Sequence, residues 1–399
     1  MRQGGHGSIL VTNHEIRPAT PTVVVPALPG LTYDPMFGGG TTTIEVDGDG
    51  NRVREYVSLA GTSTNCAGGK TPWSTWLTCE EVFTQPAGAK PHGFVFEVDP
   101  YDMDANLDPQ PIFTLGRFEH EAVAVDPDTG QVYETEDATD PHGLFYRWTP
   151  PASAMPLGKG SLRALGPTEG ALQALRARTD AGEIVLDLSL ATEPGTRYDV
   201  EWVDVFDRDG VVPLVRRQFN GFWVGRRRTG PGGDITRSRK LEGAWWGDGG
   251  AYFVASFART TDGSARQHDG QVWFYDPLSS TVTLRLIFAY TPQDNDGEPD
   301  GPDNIAVSPY GGVILAEDGQ GRQHLVGATE EGHTYFLARN ELGDGTGELA
   351  GVNFSPDKKT LFVNLFQPGL VYAVHGPWKR QGGGGPPVTT PVEPVPAGS

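Results

Sequence analysis

One pattern returns three times along the chain and restricts its fold more than any bulk property. It reads Val123-Ala-Val-Asp-Pro-Asp-Thr-Gly-Gln-Val-Tyr133, then Ile305-Ala-Val-Ser-Pro-Tyr-Gly-Gly-Val-Ile-Leu315, then Val352-Asn-Phe-Ser-Pro-Asp-Lys-Lys-Thr-Leu-Phe362. Each copy is a strand-forming run, a tight Pro/Gly/Asp turn and a second such run, which is how a β-hairpin is written. A second pattern, glycine followed by aromatic and β-branched residues and a turn, starts at Gly93, Gly143 and Gly270. With 54 Gly and 33 Pro in 399 residues, long helical windows are scarce, which excludes a coiled coil and argues against a helical bundle. The aromatic tenth of the chain is enough to fill a core. Hairpins of one kind, repeated, predict an all-β fold, a β-propeller, with a β-sandwich as the alternative.

The predicted organisation is one domain over residues 1–380 and a disordered Gly/Pro-rich tail over 381–399. Residues 151–197 read as an insertion between blades, with a helical stretch at 168–177 where Ala, Leu and Arg cluster. Residues 7–13 are expected to complete the final blade beside 361–374 and close the ring. No transmembrane run and no export signal is visible in the chain.

The net charge is −20, from 31 basic and 51 acidic side chains. Such a surface repels phosphate backbones and argues against nucleic acid as a partner. More telling is where the acids fall. In an antiparallel hairpin, the residue before the first strand and the residue after the second share one end of the sheet. Glu121 precedes Val123, and Glu134, Glu136 and Asp137 follow Tyr133. Asp303 precedes Ile305, and Glu317 and Asp318 follow Leu315. Glu242 precedes the strand at Trp245, Glu348 precedes Val352, Glu80 and Glu81 follow the strand at 75–78, and Asn13 to Glu15 follow the strand at 9–11. A single acid at a strand end commonly serves a local hydrogen bond. Recurrence at equivalent ends predicts a carboxylate rim, which needs cations to offset its self-repulsion and offers the oxygen ligands that hard metals take. The two cysteines, Cys66 and Cys79, are too few for a disulfide framework. Cys79 lies in a strand and reads as a small hydrophobe. Cys66 stands in a polar, Gly-rich stretch ahead of paired acids, a credible mixed sulfur and oxygen site.

Asn65-Cys66-Ala-Gly-Gly69, Thr71-Pro-Trp73 and Leu77-Thr-Cys-Glu-Glu81 resemble the signature of the PhoX family of alkaline phosphatases. So do Gly116-Arg-Phe-Glu-His-Glu121, Tyr133-Glu-Thr-Glu-Asp137, Pro302-Asp-Asn304 and the block from Phe354 to Gly369. The resemblance implies a six-bladed propeller with a few short helices that hydrolyses phosphate monoesters, uses Fe³⁺ and Ca²⁺, and is exported by the twin-arginine route to the periplasm or beyond. It implies Cys66 as thiolate ligand to iron, and Glu81, Glu121, Glu242, Asp303 and Glu136 or Asp137 as carboxylate ligands. Where the family carries a phosphate-contacting Arg, this chain has Lys240, with Arg239 beside it. Lysine keeps the charge but not the planar bidentate fork.

These residues suit phosphate-ester hydrolysis, which needs positive charge against the oxygens of the transferring group and a basic oxygen nucleophile. An oxygen held by the metals is the expected nucleophile, with Lys240 or a neighbouring Arg on the remaining oxygens. No Gly-x-Ser-x-Gly elbow occurs, which argues against a serine route. The partner expected is a small phosphate ester, with no membrane insertion and a monomeric protein. The rival readings are a calcium-dependent propeller hydrolase of another class, such as a lactonase, and a non-catalytic propeller that binds a protein through its rim.

Overall fold

The computed structural model describes residues 7–17, 24–83, 86–210, 214–221, 223–224, 227–228, 232–291 and 297–378; the tail expected at 381–399 lies outside them. Six blades surround a central channel, each counted outward from it in chain order. The first is β1 (Ser8–His14), β2 (Gly39–Val46) and β3 (Arg52–Thr62), and the second β4 (Asn65–Lys70), β5 (Trp76–Glu80) and β6 (Val95–Val98). The third is β7 (His120–Val125), β8 (Val132–Glu136), β9 (Phe145–Thr149) and β10 (Ala171–Arg178), with the short β11 (Ile184–Val185) on its edge. Next comes β12 (Arg197–Asp204), then a small ribbon of β13 (Trp223–Val224) and β14 (Arg227–Arg228). The fourth blade is β15 (Leu241–Gly247), β16 (Gly250–Ala255), β17 (His268–Asp276) and β18 (Thr281–Ala289). The fifth is β19 (Pro302–Val307), β20 (Val313–Glu317), β21 (His324–Ala328) and β22 (Thr334–Arg339), and the sixth β23 (Leu349–Phe354), β24 (Thr360–Leu365) and β25 (Leu370–His375). Strand β12 pairs with both β10 and β18, so blades three and four form one continuous sheet.

The three repeated hairpins are the β7–β8, β19–β20 and β23–β24 pairs, and the glycine-led runs are third strands of blades two, three and four. Their turns are built locally: Asp126 Oδ1 accepts from the Asp128 N–H at 2.8 Å, and Gly130, at φ +69°, closes the loop by donating to Asp126 O at 2.9 Å. Neighbouring blades pack through their inner strands, β1 on β4, β4 on β7, β7 on β15, β15 on β19 and β19 on β23. Aromatic residues fill the wedges between them, Trp148 and Tyr146 in one layer, Tyr133, Phe253 and Trp273 in the next. Each such side chain, once buried, contributes roughly 1.5–3 kcal/mol. Cys79 is fully buried beside Leu77 and Val95, as a small hydrophobe would be.

Two expectations are corrected. The helix expected at 168–177 is instead mostly strand β10, paired with β9 and β12; the α-helical turn among the described residues is α1 (Ser161–Ala164). Leu172 and Ala174 face one core layer and Leu175 and Ala177 another, so burial on both faces gave the sequence a helix-like spacing, and pairing overrode the helical propensity of Ala and Leu. Residues 151–197 therefore supply a blade strand. Secondly, β1 pairs with β2, not with the last blade. Among the described residues the ring closes by side-chain packing of Leu10, Ile44 and Val46 on Phe362 and Ala373, without a shared strand.

Candidate metal centre

Five of the six inner strands, all but β1, share a defect at one end. Opposite β5, the register of β4 slips between Asn65 and Gly68; opposite β8, that of β7 slips between His120 and Val123. The same happens in β15 between Leu241 and Ala244, in β19 between Pro302 and Asn304, and in β23 between Ala350 and Asn353. In each case the inner strand has one residue more than its partner, which is a β-bulge, a device that re-aims a side chain next to a functional site. The residues in the first four bulges include Cys66, Glu121, Glu242 and Asp303. Glu15, Glu81, Asp318 and Glu348 lie at the same end, just beyond β1, β5 and β20 and just before β23.

The result is a ring of potential ligands. Ligand atoms of Glu15, Cys66 and Glu81 lie within 4.8 Å of one another, as do those of Glu121, Glu242 and Asp303, and of Asp303, Asp318 and Glu348. Asp303 belongs to two triples, and Cys66 Sγ joins the first to the second at 3.4 Å from Glu121 Oε1. The bulge around Cys66 is fixed by Asn13, whose Nδ2 donates to Cys66 O at 2.9 Å and Ala67 O at 2.6 Å while its Oδ1 accepts from Trp76 Nε1. Two glycines allow the close approach. A Cβ on Gly69 would sit 2.0 Å from Val123 O, and one on Gly243 2.8 Å from Asp303 O.

Without cations this arrangement is electrostatically costly: two like charges 4 Å apart repel by about 4 kcal/mol at an effective dielectric near 20. Burial, then Glu81, Glu242 and Asp303, pushes the Glu121 carboxyl well above the ordinary range. Burial with Asp137 and Asp303 does the same to Glu242, and burial with Glu348 and Asp318 to Asp303. Glu81 is raised to about 7 and Glu348 to about 8, burial again leading. Burial followed by Glu121 and Glu81 lifts the Cys66 thiol. Glu121 Oε2 and Asp137 Oδ1 are buried with no hydrogen-bond partner among the described residues. A donor set of one thiol and several carboxylates, with oxygens left unpaired, fits hard cations beside a thiophilic one.

Not every expected residue joins the ring. Glu136 is fully buried, with Oε1 3.0 Å from Arg216 and Oε2 accepting from Tyr146 at 2.8 Å; it is in none of the three triples. Asp137 stands at the ring, bonded by Lys240 Nζ at 2.9 Å, and the same ammonium lies 3.0 Å from Glu242 Oε1. Burial would lower the pKa of Lys240, but Glu242 and Asp137 more than reverse this and hold it charged. Lys240 has φ +47°, a left-handed backbone that costs a non-glycine residue about 1–2 kcal/mol. Arg239 goes elsewhere: it is buried, with Nε 3.2 Å from Asp187 and Nη1 bonded to His142 and Asp262. The sequence marked Glu15, Asp318 and Glu348 as rim acids but not as ligands, and singled out neither Arg17, which is exposed and bonded to Glu15, nor Arg216.

Comparison with known proteins agrees with the motifs. The family described as alkaline phosphatase PhoX matches residues 1–369. No curated protein matches in sequence. Among solved structures, TolB from Acinetobacter baumannii is similar at 12% identity and a TM-score of 0.43, over 92% of this chain and 61% of that one. A putative 6-phosphogluconolactonase from Bacteroides uniformis gives the same identity and TM-score over 92% of each chain. A periplasmic gluconolactonase from Pseudomonas aeruginosa gives 14% and 0.39, over 84% of this chain and 91% of that one. This chain therefore spans less than two thirds of the TolB chain. With its motifs in family order and the family matching nearly its whole length, the chain belongs to the PhoX alkaline phosphatases.

Proposed function

We propose that the chain is a metal-dependent hydrolase of phosphate monoesters working at the acid-rimmed end of its channel. The observation that carries this reading is the convergence of Cys66, Glu121, Glu242 and Asp303 through bulges in four successive inner strands. Cys66, Glu81 and Glu121 would hold iron as Fe³⁺. Glu242, Asp303, Asp318 and Glu348, with Glu15 at the margin, would hold Ca²⁺. Bound there, the cations supply Lewis-acid charge against the phosphoryl oxygens and make water more acidic.

The protein's own groups do the positioning. An ammonium has three N–H donors; Asp137 and Glu242 take two from Lys240, and the third is available to a phosphoryl oxygen. Arg239, tied to Asp187, His142 and Asp262, acts by fixing the segment that leads into Lys240. Arg17, exposed at the mouth beside Glu15, can turn its planar fork to an incoming phosphate. Among the described residues no helix is long and apolar enough to cross a membrane. The same reading makes residues 1–380 one catalytic domain, an exported monomer acting on small esters in the periplasm or outside the cell.

The test is hydrolysis of p-nitrophenyl phosphate by protein as purified, after chelation, and after reloading with iron and calcium. Loss on chelation and return on reloading are expected; full activity after chelation, with elemental analysis showing no metal, would end the proposal.

A further inference from the structure

We propose that Lys240 stands in for one divalent cation in the carboxylate ring, so that removing its side chain opens a calcium site that the natural protein lacks. The inference rests on the reading that the ring holds cations, and goes beyond it in assigning one cation place to the polypeptide itself.

The geometry is that of a bound ion. Nζ of Lys240 lies 2.9 Å from Asp137 Oδ2 and 3.0 Å from Glu242 Oε1. These carboxylates belong to different blades, Asp137 just beyond β8 and Glu242 in the bulge of β15. A calcium ion between the same oxygens would draw them in to about 2.3–2.6 Å, a contraction that small side-chain rotations supply. Further oxygens are at hand. Asp137 Oδ1 is buried without a hydrogen-bond partner among the described residues, and Glu242 already stands with Glu121 and Asp303.

The backbone is set for this placement. Lys240 takes the left-handed φ of +47° immediately before β15, and its carbonyl is held by the Ser256 N–H at 2.9 Å. Ser256 Oγ also donates to Glu242 Oε1 at 2.9 Å, so the peptide and one of its two carboxylate partners share an anchor.

A tethered ammonium differs from an ion in two ways. It carries one positive charge where calcium carries two, and it does not exchange with solvent. The ring therefore keeps part of its neutralisation when free calcium falls.

Calcium per chain, counted by elemental analysis and by calorimetric titration, decides the matter in the wild type, Lys240→Ala, and Lys240→Ala combined with Asp137→Asn. One additional calcium ion in Lys240→Ala, lost again in the double variant, is expected. An unchanged count in folded Lys240→Ala overturns the proposal. Were Lys240→Ala unstable when stripped, thermal unfolding against calcium concentration would serve. A rise in its midpoint continuing where the wild type has levelled off supports the proposal, and parallel curves overturn it. A wild type without iron or calcium would sink the phosphatase reading by itself, and the difference between Lys240→Ala and wild type would still decide this one.

Discussion

Cys66 and Glu121 meet across the seam between blades two and three, Sγ 3.4 Å from Oε1. With no cation present, burial and the surrounding carboxylates keep the thiol protonated, so the S–H donates to Glu121. A bound metal takes that proton's place, which makes its affinity fall as the pH is lowered.

Cys66→Ala should therefore separate the two kinds of metal. The soft ligand is lost while the calcium-side carboxylates Glu242, Asp303, Asp318 and Glu348 remain. Iron content and any thiolate charge-transfer absorption should disappear, calcium should stay, and turnover should fall by more than the ~10–100-fold typical of losing an outer partner of a metal ligand. Iron retained at the wild-type level would remove Cys66 from the ligand set.

The stripped protein should lose stability as the pH rises. Glu81 and Glu348 titrate near 7 and 8 in the fold against an ordinary value of 4.5. Folding thus takes up protons between about pH 4.5 and 8, and the stabilisation present below 4.5 is lost as the pH climbs through the folded values. Thermal unfolding after chelation should show a higher midpoint at pH 5.5 than at pH 9, and reloading with calcium should flatten the difference. A stripped protein as stable at pH 9 as at pH 5.5 would mean that these carboxyls are not forced together.

Glu136 pairs with Arg216, itself 2.6 Å from Glu119, and belongs to none of the three ligand triples. Glu136→Gln should keep the full complement of metals. Arg216→Met leaves a buried carboxylate without its partner and should cost about 3–5 kcal/mol of stability, read by denaturant unfolding. Loss of iron or calcium from Glu136→Gln at unchanged stability would return Glu136 to the ligand set.

What the sequence revealed was local. Turn residues and β-branched runs mark hairpins within a dozen positions, and an acid at a hairpin's end can be assigned to an end of the sheet without knowing its neighbours. The bulges were hidden because they exist only in the pairing between strands: nothing in Asn65 to Gly68 announces that it opposes one residue fewer in β5. β10 was misread because a strand buried on both faces loses its alternation. Arg239 and Lys240 are adjacent, and it is the left-handed backbone at Lys240 that sends one to the ring and leaves the other with Asp187 and Asp262.

Gly243→Ala tests whether the close approach of blades four and five sets the site. Gly243 follows Glu242 in the bulge of β15, and a Cβ there would lie 2.8 Å from Asp303 O, 2.9 Å from Asn304 Cα and 3.1 Å from Ile305 N. All three are backbone atoms, so no side chain can rotate away, and β15 must move off β19. That movement draws Glu242 away from Asp303, its partner in the ligand triple. Overpacking of this kind costs typically 1–3 kcal/mol, and calcium affinity should fall along with stability. Gly158→Ala is the matched control, since its nearest neighbour would be Ser161 Oγ at 3.9 Å; it should stay within about 0.5 kcal/mol of wild type. If Gly243→Ala binds calcium as tightly as Gly158→Ala does, the spacing of β15 and β19 does not govern the metal centre.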